Sequence, residues 1–132
     1  MITSDPISDM LIRIKNAGAV GKPIVYVPVS RLKKDILTAL QKEDFVGNFV
    51  ETGKGVHKSF EVIIKYGNDS TPLINELKRI SKLSCRVYIK SKDLHPFRKG
   101  FGLRLLSTPS GIMSDREAKK LNIGGEVLFE IY

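Results

Sequence analysis

Ile7, Met10, Leu11 and Ile14 recur at i, i+3, i+4 and i+7, which is the spacing of one apolar stripe on a helix. Asp5 or Ser4 supplies the cap, Pro6 stands in the first turn, where its missing N–H costs nothing, and Gly18 is the stop. Ile12 falls off the stripe and is expected to be an exposed apolar residue. Ile24 to Val29 reads as a short strand near a sheet edge, because Pro28 cannot donate to a ladder. Ser30 then caps a second helix, with Leu32, Ile36, Ala39 and Leu40 expected inward. Phe45 to Thr52 and Lys58 to Tyr66 read as strands joined through Gly53-Lys54-Gly55. In the second of them Phe60, Val62, Ile64 and Tyr66 alternate as in a half-buried strand. After a turn at Gly67-Asn68-Asp69, a third helix is expected from Pro72, with Leu73, Ile74, Leu77 and Ile80 inward.

From Arg86 the pattern is mainly extended. Residues 86–90 and Leu103 to Ser107 read as strands. Ser114-x-x-Glu117 is a capping box opening a short helix. Gly124-Gly125 is a turn, and Glu126 to Tyr132 make a last strand with Val127, Phe129 and Ile131 on one face. The interleaving is irregular, which predicts an α+β fold of two small subdomains packed together. They are expected at residues 1–70 and 71–132, the C-terminal one richer in strand.

At 132 residues, 42% hydrophobic and 27% charged, the chain has room for one such core and an ordinary globular composition. Its longest apolar run is the six residues from Ile24 to Val29, far short of the about 20 that span a bilayer, and no secretory leader is read at the N-terminus. Cys85 is the single cysteine, so no intramolecular disulfide forms and no thiolate metal site is expected. It is assigned to the apolar face of its strand as a structural thiol.

Charge adds direction. The net charge is +8, and the stretch from Lys78 to Arg104 holds nine basic side chains against one acid, Asp93. A concentrated basic patch is the footprint of polyanion binding. A membrane surface would call for a basic amphipathic helix instead.

Several groups could carry chemistry. Alternation places Arg86, Tyr88 and Lys90 on one face of their strand. Two cations flanking a phenol suit phosphate contact and stacking, and the same pattern also describes an ordinary solvent face. Ser107-Thr108-Pro109-Ser110-Gly111 offers hydroxyls and backbone N–H groups to an RNA backbone, or is a plain turn. It lacks the Gly-Lys-Ser/Thr ending of a phosphate-binding P-loop. Glu126 is an isolated acid in a basic region, either aiming nearby hydroxyls or simply solvated. Arg31, Lys33 and Lys34 in the first turn of the second helix oppose its dipole, either as tolerated charges or as phosphate contacts. A Ser107, His95, Asp93 triad can be written, but no Gly-x-Ser-x-Gly supports it. No enzyme, cofactor or metal is expected.

The run Gly102-Leu103-Arg104-Leu105-Leu106-Ser107-Thr108-Pro109-Ser110-Gly111-Ile112-Met113 with Ala118-Lys119, the opening Asp5-Pro6-Ile7-Ser8-Asp9-Met10-Leu11-Ile12-Arg13-Ile14-Lys15-Asn16-Ala17, Arg86-Val87-Tyr88 and Gly124-Gly125-Glu126 together resemble the bacterial-type family of the eighth protein of the small ribosomal subunit. The resemblance runs through the whole chain in the same order. It implies a non-enzymatic primary binder of small-subunit rRNA that recognises an irregular helix of the central domain and aids platform assembly. It further implies a monomer when free, cytoplasmic or in an organelle and working in the ribosome beside other small-subunit proteins, with repression of its own operon mRNA as a second role. The implied RNA contacts are Ser107, Thr108, Pro109, Ser110 and Gly111, with Tyr88, Arg86 and Glu126, and Ser30, Arg31 and Lys33 from the N-terminal part. Pro109 stands where the family often has serine, Leu83-Ser84 where it usually has Pro-Gly, and His95 where it has proline. A free-standing RNA-binding regulator and a basic protein-binding scaffold are the other readings of the same residues.

Overall fold

The computed structural model describes residues 5–82, 84–95, 97 and 102–132. Ser4 as a cap, Leu83, and the cations Arg98 and Lys99 lie outside them. Helix α1, Pro6–Ala19, is capped by Asp5, whose side chain accepts from the Ile7 N–H. Its expected stripe of Ile7, Met10, Leu11 and Ile14 is buried, and Ile12 is exposed. Strand β1, Ile24–Pro28, is followed by α2, Arg31–Lys42, then β2, Phe49–Thr52, and β3, Ser59–Ile63. The three strands order as β1-β3-β2, all antiparallel, so Pro28 does stand on an edge strand. Val27, Phe60 and Val62 point into the core. The opposite face carries the cross-strand rows Ile24–Ile63, Tyr26–Glu61–Val50 and Pro28–Ser59–Thr52.

In α2 Ile36, Ala39 and Leu40 are buried as expected, but Leu32 is exposed, and Lys33 and Leu37 are buried with them. Five apolar positions crowd this helix, more than one stripe accommodates. Burying Leu37 in place of Leu32 brings Lys33 under cover, where its aliphatic stem can lie along apolar surface.

The helix expected from Pro72 does not form. Leu77–Arg79 is strand β4, paired with Ile131, Glu130 and Phe129. The helical spacing of Leu73, Ile74, Leu77 and Ile80 is outweighed by the need to satisfy one edge of a central strand, where unpaired backbone groups are costly.

Strand β5, Tyr88–Ile89, is shorter than the 86–90 expected; β6 is Leu103–Thr108, β7 Gly111–Ser114, α3 Asp115–Leu121 and β8 Gly125–Ile131. Ser114 caps α3, accepting from the Glu117 N–H. The strands β4-β8-β6-β7 form one antiparallel sheet, with β5 joined to the start of β8. Leu106, Met113 and Val127 pack with Ala118 of α3 and Leu94 on one side of it. Leu128 is an extra residue in β8, inserted where the register shifts between Leu105 and Leu106. The fold is α+β, with the second sheet in the C-terminal part. Two compact units divide it at residues 1–75 and 76–132. No described helix is long and apolar enough to cross a membrane.

Candidate nucleic-acid interface

One end of the second sheet gathers most of the residues singled out above. Glu126 of β8 lies directly opposite Tyr88 of β5 on one side and Ser107 of β6 on the other, and Ser107 lies opposite Ile112 of β7. Residues directly opposed in antiparallel strands share a face. Tyr88, Glu126, Ser107 and Ile112 therefore form a single row across four strands. Tyr88 is 71% exposed, a phenol ring presented rather than packed.

The Glu126 carboxylate is held by Arg86, Nη1 to Oε2 at 3.0 Å. The sequence left Glu126 either aiming nearby hydroxyls or solvated; the structure gives its carboxylate Arg86 as a partner. Alternation along β6 also separates the two hydroxyls that the sequence placed together. Ser107 belongs to the Glu126 row, and Thr108 turns to the other face, over Gly125.

The segment Ser107 to Gly111 is not an open loop before a helix. It is the end of a β6–β7 hairpin, and β7 was not anticipated. Thr108 pairs with Gly111, leaving Pro109 and Ser110 as the two central residues. The Thr108 Oγ1 accepts from the Ser110 N–H at 3.2 Å and donates to the Gly111 carbonyl oxygen at 2.7 Å. Gly111 has φ +117°, a conformation that side-chain-bearing residues rarely adopt. Pro109, Ser110 and Gly111 are exposed at the tip.

Two glycines let the strands meet here. A Cβ on Gly124 would collide with the Ile89 carbonyl oxygen, and one on Gly125 with the Ser107 carbonyl oxygen and Thr108 Cγ2. The glycine pair is therefore a close-packing device at the start of β8 rather than a plain turn.

Ser81 was missed by sequence reasoning. Its side chain is fully buried, and its Oγ accepts from the Val87 N–H at 2.8 Å. That bond fixes the backbone between Arg86 and Tyr88. A serine inside a basic run carries no mark that distinguishes it from a surface one.

Cys85 is exposed, contrary to the apolar-face assignment. The backbones of Lys82 and Cys85 bond to each other, so the chain turns there, and strand alternation does not reach back from Tyr88. Arg104 is engaged rather than free, bonding Glu130 at 2.9 Å and lying 5.0 Å over the Phe97 ring. Lys90, Lys92, Lys119 and Lys120 are exposed and leave this end positive, whereas exposed Lys78 stands opposite Glu130 at the far end of β8.

In the first unit, Ser30 caps α2 by accepting from the Lys33 N–H at 3.1 Å. Arg31 and Lys34 are exposed; Lys33 is 9% exposed, which makes it the weakest of the three as a phosphate ligand. Among the described residues no hydrogen bond joins Ser107, His95 and Asp93, and no group of three His, Cys, Asp or Glu could hold a metal.

Residues 5–132 match the model of the family described as "Ribosomal protein S8". The chain is 39% identical over 131 residues to the "Small ribosomal subunit protein uS8" of Solibacter usitatus, covering 99% of this chain and all of that one. Proteins of the same name from Rippkaea orientalis and Microcystis aeruginosa are 45% and 44% identical over 133 aligned positions, with both chains fully covered.

Proposed function

The chain belongs to the ribosomal protein S8 family, a structural and non-enzymatic class, and from that premise we propose that the exposed end of its second sheet binds an irregular helix in the central domain of small-subunit rRNA. The observation that carries this reading is the Tyr88–Glu126–Ser107 row beside the β6–β7 turn. It sets one exposed ring, a buttressed arginine and a rigid hydroxyl-bearing tip within the unit that holds most of the net positive charge.

The chemistry suits RNA. A-form helices hide their major groove, so proteins read distortions of the backbone and the shallow minor groove through 2′-hydroxyl and phosphate contacts and by stacking on unpaired bases. Tyr88 supplies a stacking face. Ser107, Ser110 and the tip backbone supply directional contacts. Arg86 supplies a fork for phosphate whose direction is set by Glu126. The exposed lysines add attraction without sequence information. Arg31 at the start of α2 is a further backbone contact. By this reading the protein organises the platform of the subunit beside neighbouring proteins. A folded segment of its own messenger that mimics the rRNA helix would meet the same groups, so operon repression needs no second site.

The test is a titration of the protein against a central-domain rRNA fragment and a random duplex. With roughly 4–8 phosphate contacts, affinity falls by on the order of 10²–10⁵ between about 50 and 200 mM salt. Preference for the fragment persists at every salt. Tyr88→Ala lowers fragment affinity by about 1–3 kcal/mol, the scale of one lost stacking contact. Equal affinity for both RNAs overturns the reading.

A further inference from the structure

The open face of the first sheet is unlike the rest of this molecule. The protein carries 22 Lys and Arg, yet none stands in the three rows of that face, and its one charge is the carboxylate of Glu61. Glu61 is half-buried between Tyr26 and Val50, which are 54% and 56% exposed, and beside Ile63 at 45%. Among the described residues the Glu61 carboxylate has no ion-pair or hydrogen-bond partner. Arg13 reaches the sheet edge, where its Nη1 donates to the Tyr26 carbonyl oxygen at 3.4 Å. Nearby acids are otherwise spoken for, Glu51 by Lys58 and Asp44 by Lys65.

We propose that this face docks a basic segment of another small-subunit protein, one that presents a lysine or arginine to Glu61 and apolar side chains to Tyr26, Val50 and Ile63. RNA is the wrong occupant. A phosphate brought to the row would meet an unneutralised carboxylate, with no cation standing in the row and Arg13 only at its edge, whereas RNA-binding surfaces are rich in Lys and Arg. A second copy of this chain is disfavoured for a related reason, since a two-fold contact sets a patch against itself and would oppose Glu61 to Glu61. A cationic segment removes both objections. Proteins that live among RNA phosphates carry the required positive charge, and an aromatic and two aliphatics around a central ion match the apolar core and charged anchor of a docking site. The proposal rests on membership in the subunit and is independent of the RNA site on the second sheet.

The experiment places a photoreactive p-benzoylphenylalanine at position 26 of the full chain, with a second version at position 50, and cross-links within reconstituted small subunits. The expected product is a peptide of a different protein bearing a Lys or Arg next to apolar residues. Glu61→Lys is expected to lower its yield at least about tenfold, because like charges opposed at an interface cost several kcal/mol, with Glu61→Gln intermediate. Binding of the same variants to the naked central-domain RNA fragment is expected not to weaken, since the substitutions only add positive charge, and that measurement fails separately if the RNA reading is wrong. Cross-links from both positions only to rRNA, only to a second copy of this chain, or to nothing overturn the proposal. A protein cross-link whose yield ignores the charge of residue 61 overturns it as well.

Discussion

The Thr108 hydroxyl is consumed within its own turn, donating to the Gly111 carbonyl oxygen at 2.7 Å. It also takes the Ser110 N–H, so both of its strong capacities are used before any ligand arrives. In the proposed RNA site its part is then to hold the tip in one shape, which lowers the ordering cost of association. Thr108→Val should destabilise the fold by about 1–2 kcal/mol, the scale of lost local hydrogen bonds, and weaken fragment binding together with stability. Thr108→Ser, which keeps the hydroxyl, should leave both near wild type. Urea midpoints and dissociation constants for the pair check this; a serine variant that binds as poorly as the valine variant contradicts it.

Gly125 should tolerate no side chain. An added Cβ meets the backbone of Ser107, and backbone cannot swing aside as a flexible side chain can. Gly125→Ala is expected to push β6 from β8 and cost about 1–3 kcal/mol, as overpacking generally does. Gly111→Ala has open space around its Cβ but a strained φ, so its cost of roughly 1 kcal/mol arises in the backbone alone. Amide exchange should separate them. Protection drops along the β6–β8 ladder in the first variant and only near the turn in the second.

The pairing of Glu126 with Arg86 makes a sign test. Simple charge counting says that Glu126→Gln, which makes the protein more basic, tightens every RNA complex. If the carboxylate instead aims the arginine, the cognate complex weakens by about 1 kcal/mol while the random duplex gains slightly, since non-specific affinity follows charge. A double-mutant cycle with Arg86→Gln on cognate RNA should then show coupling of about 0.5 kcal/mol or more. A tighter cognate complex for Glu126→Gln rules out the positioning role.

The exposed thiol of Cys85 should react with a maleimide in the native protein at nearly the rate of a free thiol. Cys85→Ser should change stability by less than about 0.5 kcal/mol, as surface substitutions do. Slow modification released only by denaturant would restore the buried assignment.

The parts of this fold readable from sequence are those where one period dominates. Ile7, Met10, Leu11 and Ile14 admit a single stripe, and α1 follows. Ser114 with Glu117 marks the start of α3 through local bonds alone. Where apolar residues exceed one stripe, as in α2, the sheet beneath chooses the phase, and nothing local to Leu32 or Leu37 announces the choice. Leu73 to Ile80 has helical spacing, yet Leu77–Arg79 within it becomes strand, because its partner lies some 50 positions onward and a window of neighbours cannot see it. The interface shows the same division. Tyr88, Arg86 and Glu126 were visible as residue types in order. Their assembly into a row, the spending of Thr108 inside its turn and the buried brace of Ser81 depend on pairings between distant strands.

Strand β8 comes later in the chain than β4, β5 and β6, and it bonds to all three. During synthesis the second sheet therefore lacks its middle until its last strand emerges. Until then three strand segments, the largely apolar β6 among them, wait without their common partner, the state in which unpaired edges invite wrong company. The first sheet draws its strands from residues 24–63 and has no such wait. The strands of the proposed docking face are thus all synthesised before β8, whereas the row proposed to meet RNA has no central strand until β8 is made.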